Sequence, residues 1–198
     1  VAHPESPEIL IAVADVQQQA VLVRAHLPGD QSAPFPLVPT PRRFAALAAV
    51  MIGQPYDWGG QLGYRDCSAT IQDLFAPFGL WLPRNSAKQA LQGRIISLND
   101  LGPAQREQHL LAHGVPFLTL VAMPGHIMLY LGQAGERAVV LHTLWGLRTK
   151  GLFSREGRWR VGQTVITTLE PGQEAASFLR SVSSLRDRVT SMNLLVGE

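Results

Sequence analysis

Apolar residues change their period once along this chain of 198 residues, and that change restricts the fold more than any other feature. Across residues 42–52, Phe44, Leu47, Ala48 and Met51 recur at the spacing of one helix face, stopped by Gly53 and Pro55. A second such run covers 67–76, with Ile71, Leu74 and Phe75 on the inner face and Pro77 and Gly79 as its end. Beyond these, 115–122, 126–131, 137–143 and 160–169 are short, apolar and β-branched, divided by Pro124, Gly132, Gly135 and Gly162. Helices first and consecutive short strands afterwards predict an α+β domain, with N-terminal helices packed on an antiparallel sheet.

The flanks read differently. Residues 9–13 and 20–26 predict two short strands around a polar turn, and 28–41 is proline-rich, so residues 1–40 are expected to form a small β appendage with a linker. Residues 41–198 then form the main domain. Its end is expected to be helical from residue 175 onward, because Phe178, Leu179, Val182 and Leu185 fall at helical spacing. With 46% hydrophobic and 16% charged residues, the chain can fill a core, which argues against disorder. A net charge of +2 is far short of a nucleic-acid footprint. Arg148, Lys150, Arg155, Arg158 and Arg160 crowd one region and read as a solvated face. No apolar run is long enough to span a bilayer as a helix.

Cys67 is the only cysteine, in Tyr64-Arg65-Asp66-Cys67-Ser68-Ala69-Thr70. It has no disulfide partner within the chain, and a thiol at a helix start is acidified by the helix dipole and free N–H groups. A free cysteine is most often a small buried hydrophobe. Here the polar neighbours Asp66 and Ser68, the preceding Gly59, Gly60 and Gly63, and the histidines downstream favour a nucleophile. Strand alternation puts His126, Met128 and Tyr130 on one face. A three-residue hairpin loop, 133–135, with Gly135 left-handed, pairs Gly132 with Glu136 and sets His126 directly opposite His142. A slip of one residue would send the two rings to opposite faces. Thiol, imidazole and a second group orienting the imidazole make a triad of Cys67, His126 and His142.

Other residues carry plainer readings. Asp66 or its neighbour caps the helix that follows. Ser86 caps a helix starting near Ala87. Tyr56 and Trp58, beside two glycines, close the core over the loop. His109 and His113 have zinc-helix spacing, yet no glutamate stands in the required place and no third ligand is apparent, so they read as exposed helix residues. Glu5, Glu8 and Asp15 make no glycosidase pair. Neither metal nor cofactor is expected.

Four ordered motifs, Pro55-Tyr56-Asp57-Trp58-Gly59-Gly60, Asp66-Cys67-Ser68, Leu82-Pro83-Arg84-Asn85-Ser86-Ala87-Lys88-Gln89 and Pro124-Gly125-His126-Ile127-Met128-Leu129-Tyr130-Leu131-Gly132, resemble the NlpC/P60 family of cell-wall cysteine peptidases. The resemblance covers roughly residues 42–169. It departs from the family pattern at Ala69, where glycine is usual, and at 115–123, which replaces a Pro-Gly-Asp-Leu segment. The resemblance implies a papain-like fold, a Cys67/His126/His142 centre, and hydrolysis of the bond between γ-D-glutamate and a diamino acid in peptidoglycan stem peptides. It further implies an SH3-like origin for the appendage, a place in the cell envelope, and substrate contacts from Asp66, Tyr56, Ser68, Arg84 and Ser86. Asp66 is the residue implied to hold a free N-terminal L-alanine amine. Two other readings remain open: an acyl or amide transferase using the same thioester, and an inactive wall-binding module.

Overall fold

The computed structural model describes residues 8–29, 32–151, 156–173 and 180–195. The chain divides into two units, residues 1–38 and 39–198. In the first, β1 (Glu8–Ala14) and β2 (Ala20–His26) form an antiparallel hairpin with Ala14 opposite Ala20. Asp15 shapes the turn, its carboxylate accepting the backbone N–H groups of Gln17 and Gln19 at 2.9 Å each. The described residues of this unit form this two-stranded hairpin, which does not by itself show the SH3-like module expected here.

In the second unit, α1 (Pro41–Ala49) starts at Thr40, whose hydroxyl accepts the Arg43 N–H, and has Pro41 in its first turn. Its Phe44 stacks on Phe78, ring centres 4.0 Å apart, and packs against Phe75 at 5.2 Å, which fixes it against α2 (Cys67–Phe75). α3 (Ser86–Gln89) is capped by Asn85, whose side chain accepts the Ala87 N–H at 2.9 Å. The cap expected at Ser86 thus lies one residue earlier. α4 (Pro103–His113) carries His109 and His113 with rings 4.4 Å apart.

The sheet comprises β3 (Arg94–Ser97), β4 (Thr119–Met123), β5 (His126–Ala134), β6 (Arg137–Gly151), β7 (Glu156–Thr168), β8 (Arg180–Val182) and β9 (Ser191–Leu194). Its order is β3-β9-β4-β5-β6-β7, with β8 also on β6, and every pairing is antiparallel. The helix expected from residue 175 is not what the described residues form. β8 pairs with the far end of β6, and β9 inserts between β3 and β4, burying Met192 and Leu194. Val182 and Leu185 share a helical interval by coincidence, since both are core residues, one in a strand and one in the following turn. Phe178 and Leu179 lie outside the described residues.

α2 rests on β5 and β6 through Ile71, Leu74 and Phe75, all fully buried. A buried hydroxyl chain ties it further. Thr70 donates to the Asp66 carbonyl at 2.9 Å and so accepts from Thr143, which in turn accepts from Thr164 at 2.7 Å. This holds the first turn of α2, and Cys67 with it, against the centre of the sheet.

At the other end of the sheet, Glu107, Arg137, Glu170 and Arg186 close a ring of four ion pairs of 2.7 to 3.1 Å. Glu107 is buried and also accepts the Ala138 N–H at 3.0 Å. Glu107→Ala should therefore cost about 2 kcal/mol, less than a fully buried pair because both arginines reach solvent, and lower the melting temperature by several degrees. Asp73→Ala, which breaks the exposed pair with Arg65, should cost under about 0.5 kcal/mol. Urea melts of both variants that gave equal losses would refute the ranking.

Candidate active site

The loop before α2 is built to present its first residue. Gly59, Gly60 and Gly63 take positive φ, letting the loop close around Asp57, whose carboxylate accepts the N–H groups of Leu62 and Tyr64. The N–H of Tyr56 donates to the Gly162 carbonyl in β7 at 2.8 Å, fastening the loop to the sheet, and that of Asp57 donates to the Arg65 carbonyl at 3.0 Å, closing the loop on itself. Asp66 then caps α2, its Oδ1 accepting the Ala69 N–H at 2.9 Å. Cys67 occupies the first helical position, 8% exposed. Burial pushes its thiol above the ordinary value, opposed by the N–H of Ile127 and those of Ser68 and Cys67 itself. The acidification expected from the helix start is thus present but outweighed by desolvation.

The two histidines meet as expected, though by another register. The hairpin loop has two residues, so Ala134 faces Arg137 and Gly132 faces Val139. Kept unchanged, that register would set His142 opposite Leu129, on the wrong face. A bulge at Leu131 corrects it: Tyr130 faces Val140 and Leu129 faces Leu141, so His142 shares the face of Met128 and His126. The rings are diagonal neighbours, and His126 Nε2 lies 2.8 Å from His142 Nδ1.

Beyond His142, its Nε2 lies 3.0 Å from Thr167 Oγ1, and that hydroxyl donates to the Thr168 carbonyl at 2.8 Å. These contacts fix the protons. With its own proton on Thr168, Thr167 must accept from His142 Nε2–H; His142 Nδ1 is then the acceptor for His126 Nε2–H. The lone pair of His126 is left on Nδ1. Burial pushes His126 down to about 4, with the charge of Arg188 adding to the effect, and holds His142 well below the ordinary histidine value. Thr167 was not legible in the sequence, because finding it requires the β6–β7 register, in which His142 faces Val165.

The cleft around Cys67 has two lobes. One is lined by Tyr56, Trp58, Asp66, Ser68, Arg84 and Ser86, the other by His126, Trp145 and three arginines. In the first lobe Arg84 grips Asp66 with two 2.9 Å bonds, and the Ser68 hydroxyl contacts Asp66 Oδ1 at 2.9 Å and the Arg84 carbonyl at 2.8 Å. Burial would raise the Asp66 carboxyl, but Arg84, the Ala69 N–H and Ser68 outweigh it and hold the group below its ordinary value. The Ser68 hydroxyl is thereby engaged within the protein. Tyr56 is pushed up to about 12 by burial and then by Cys67 and Asp66, so its phenol stays a neutral donor. Trp58 is not a core residue as expected: it is 78% exposed and stands on the rim shared by both lobes. Among the described residues no cluster of His, Cys, Asp and Glu could hold a metal ion.

The profile of the NlpC/P60 family matches residues 53–144. A Mycobacterium tuberculosis protein named "Probable endopeptidase" is 31% identical over 87 residues, 43% of this chain and 20% of its own length. The γ-D-glutamyl-L-lysine dipeptidyl-peptidase of Bacillus subtilis is 37% identical over 54 residues, 27% of this chain and 18% of its own. The chain thus spans about a fifth of the length of these relatives. A solved NlpC/P60 endopeptidase from Photobacterium damselae subsp. piscicida superposes with a TM-score of 0.83 at 31% identity, over 95% of this chain and 46% of that one. On the profile match and the superposition, this chain carries an NlpC/P60 family domain.

Proposed function

We propose that this protein hydrolyses peptidoglycan stem peptides at the bond between γ-D-glutamate and the diamino acid, through a thioester on Cys67. The observation that carries this reading is the hydrogen-bond chain from the Thr168 carbonyl to His126, which leaves the His126 lone pair on Nδ1, with His126 and Cys67 lining the same lobe. The names of the relatives, an endopeptidase and a γ-D-glutamyl-L-lysine dipeptidyl-peptidase, support the substrate class. With Cys67 pushed up and His126 down, thiol and imidazole rest uncharged. The S–H proton passes to His126 Nδ1 as sulfur attacks the γ-carbonyl carbon, and His142 Nδ1 steadies the imidazolium through its Nε2–H. The N–H groups at the start of α2 face the developing oxyanion. His126 then protonates the leaving amine, and water attacks the thioester, returning the thiol. Peptidoglycan is extracytoplasmic, so the protein acts in the cell envelope.

In this reading the Asp66 lobe takes the acyl half of the substrate. Among the described residues Asp66 Oδ2 is bonded to Arg84 alone and retains capacity for an N-terminal L-alanine amine, with Tyr56 and Ser86 lining the same lobe. Such a contact is worth about 1.5 to 3 kcal/mol, ten- to a hundredfold in kcat/KM. Acetylating the amine of L-Ala-γ-D-Glu-diamino acid peptides should slow the wild type by that factor. Asp66→Asn, which can still cap α2, should erase most of the difference. A wild-type enzyme indifferent to acetylation refutes amine recognition; failure to release the diamino acid from either peptide refutes the stem-peptide reading.

A further inference from the structure

The second lobe of the cleft is lined by Arg148, Arg158 and Arg188 together with Cys67 and His126. Arg148 and Arg158 are directly opposed across β6 and β7, an arrangement of like charges that costs stability in a sheet. Among the described residues no carboxylate pairs with any of the three. Among the described residues, the Arg188 guanidinium donates to the Pro124 carbonyl, at 3.3 Å, in the turn leading to His126. Its guanidinium is depressed by burial and then by the charges of Arg148 and Arg158. Nearby Arg160 is occupied differently, lying 4.8 Å over the Trp145 ring. Three close guanidiniums with no counter-ion among the described residues, lining the same lobe as Cys67 and His126, form a concentration of positive charge that an anionic ligand would relieve.

We infer that Arg148, Arg158 and Arg188 form a carboxylate subsite for the leaving-group half of the substrate, selecting a diamino acid that carries an additional carboxylate, as diaminopimelate does and lysine does not. The inference rests on the stem-peptide reading of the same cleft. With the N-terminal amine at Asp66, the chain of the substrate crosses Cys67 and its amine-side residue enters the arginine lobe. Guanidinium and carboxylate match in planar two-bond geometry, and the lobe holds no described acid to compete. An anion seated there would also offset the positive charge that helps depress His126, strengthening the base when the proper substrate is bound.

The test uses the full chain with Cys67→Ala, so that binding is read without turnover, and three peptides: L-Ala-γ-D-Glu-meso-diaminopimelate, its L-lysine counterpart, and the diaminopimelate peptide amidated at the carboxylate of the D-centre. By titration calorimetry the first should bind about ten- to a hundredfold more tightly than the other two, a preference that shrinks in high salt. Arg158→Gln with Arg188→Gln should remove the preference and leave affinity for the lysine peptide within about twofold. These substitutions should leave the melting temperature unchanged or raise it, since they relieve repulsion, whereas residues that merely support the fold would lower it. Equal affinity for the diaminopimelate and lysine peptides overturns the subsite. If amidation at the D-centre has no effect while the preference persists, the preference does not arise from that carboxylate, which also overturns it. Wild-type turnover of either peptide tests the stem-peptide reading separately.

Discussion

Cys67→Ser is expected to abolish stem-peptide hydrolysis, by about 10⁴-fold or more, while leaving the fold intact, because an alcohol at the start of α2 lacks the acidity and nucleophilicity of a thiol. Cys67→Ala should be equally inactive and within about 1 kcal/mol of wild-type stability, since sulfur contributes little to a core already filled by Ile71, Leu74 and Phe75. Release of the diamino acid, followed by chromatography, checks the first statement, and a urea melt checks the second. Near-normal turnover by the serine variant would exclude the thioester route. Iodoacetamide alkylation adds a pH signature. Because burial pushes the Cys67 thiol up and His126 down, the rate should keep climbing through pH 9, the ordinary thiol value, with no fast plateau between pH 6 and 8. A plateau in that range would show that thiolate and imidazolium already exist as a pair in the free enzyme.

The second large effect belongs to the chain His126–His142–Thr167. His126→Ala should lose about 10³-fold or more, nearly as much as the cysteine variants. At position 142 the acceptor counts: an asparagine oxygen can stand near the place of Nδ1 and still accept the His126 Nε2–H, so His142→Asn should keep more activity than His142→Ala, by about tenfold or more. Thr167→Val removes the acceptor that keeps the His142 proton on Nε2. His142 can then carry its proton on Nδ1, facing His126, and force the base into the tautomer that has no lone pair for Cys67. A severalfold loss in kcat with little change in KM is expected, restored by Thr167→Ser, which retains the hydroxyl. The acid limb of the wild-type profile should lie well below the ordinary histidine value of 6.5, because protonation of His126, pushed down to about 4, is what removes the base. Equal loss in alanine, asparagine and valine variants along the chain would refute this proton arrangement.

Much of the architecture is a local property and was legible in the residues. The period of Phe44, Leu47 and Met51, the stop at Gly79 and the β-branched runs after residue 115 express which faces can be buried, and burial drives the same choice in the folded protein. Asp66 before Cys67 marked a helix start because an acid in that place satisfies free N–H groups whatever surrounds it. Local pattern failed where neighbours from distant parts of the chain took over. Val182 and Leu185 have helical spacing, yet β6 offered hydrogen-bond partners to β8, which ends at Val182, and β3 and β4 enclosed β9, with Leu185 in the turn between.

The site shows the same division. Sequence order brought Cys67, His126 and His142 together as candidates, and the shared face of the two histidines came from alternation along strands. What placed them there is the bulge at Leu131, a compensation for a loop one residue shorter than expected, which no local rule announces. Thr167 and the exposed edge of Trp58 depend on which strand runs beside which, and on what a loop leaves uncovered. The charge states of Cys67 and His126 were decided by tertiary structure as well, because desolvation depends on every atom packed around a group, whereas the helix dipole is written into its own segment. The sequence by itself determined the elements and the chemical groups available to the cleft; the tertiary structure decided their register, their protons and the meeting of Arg148, Arg158 and Arg188, because contacts between residues far apart in the chain exist only once the sheet has closed.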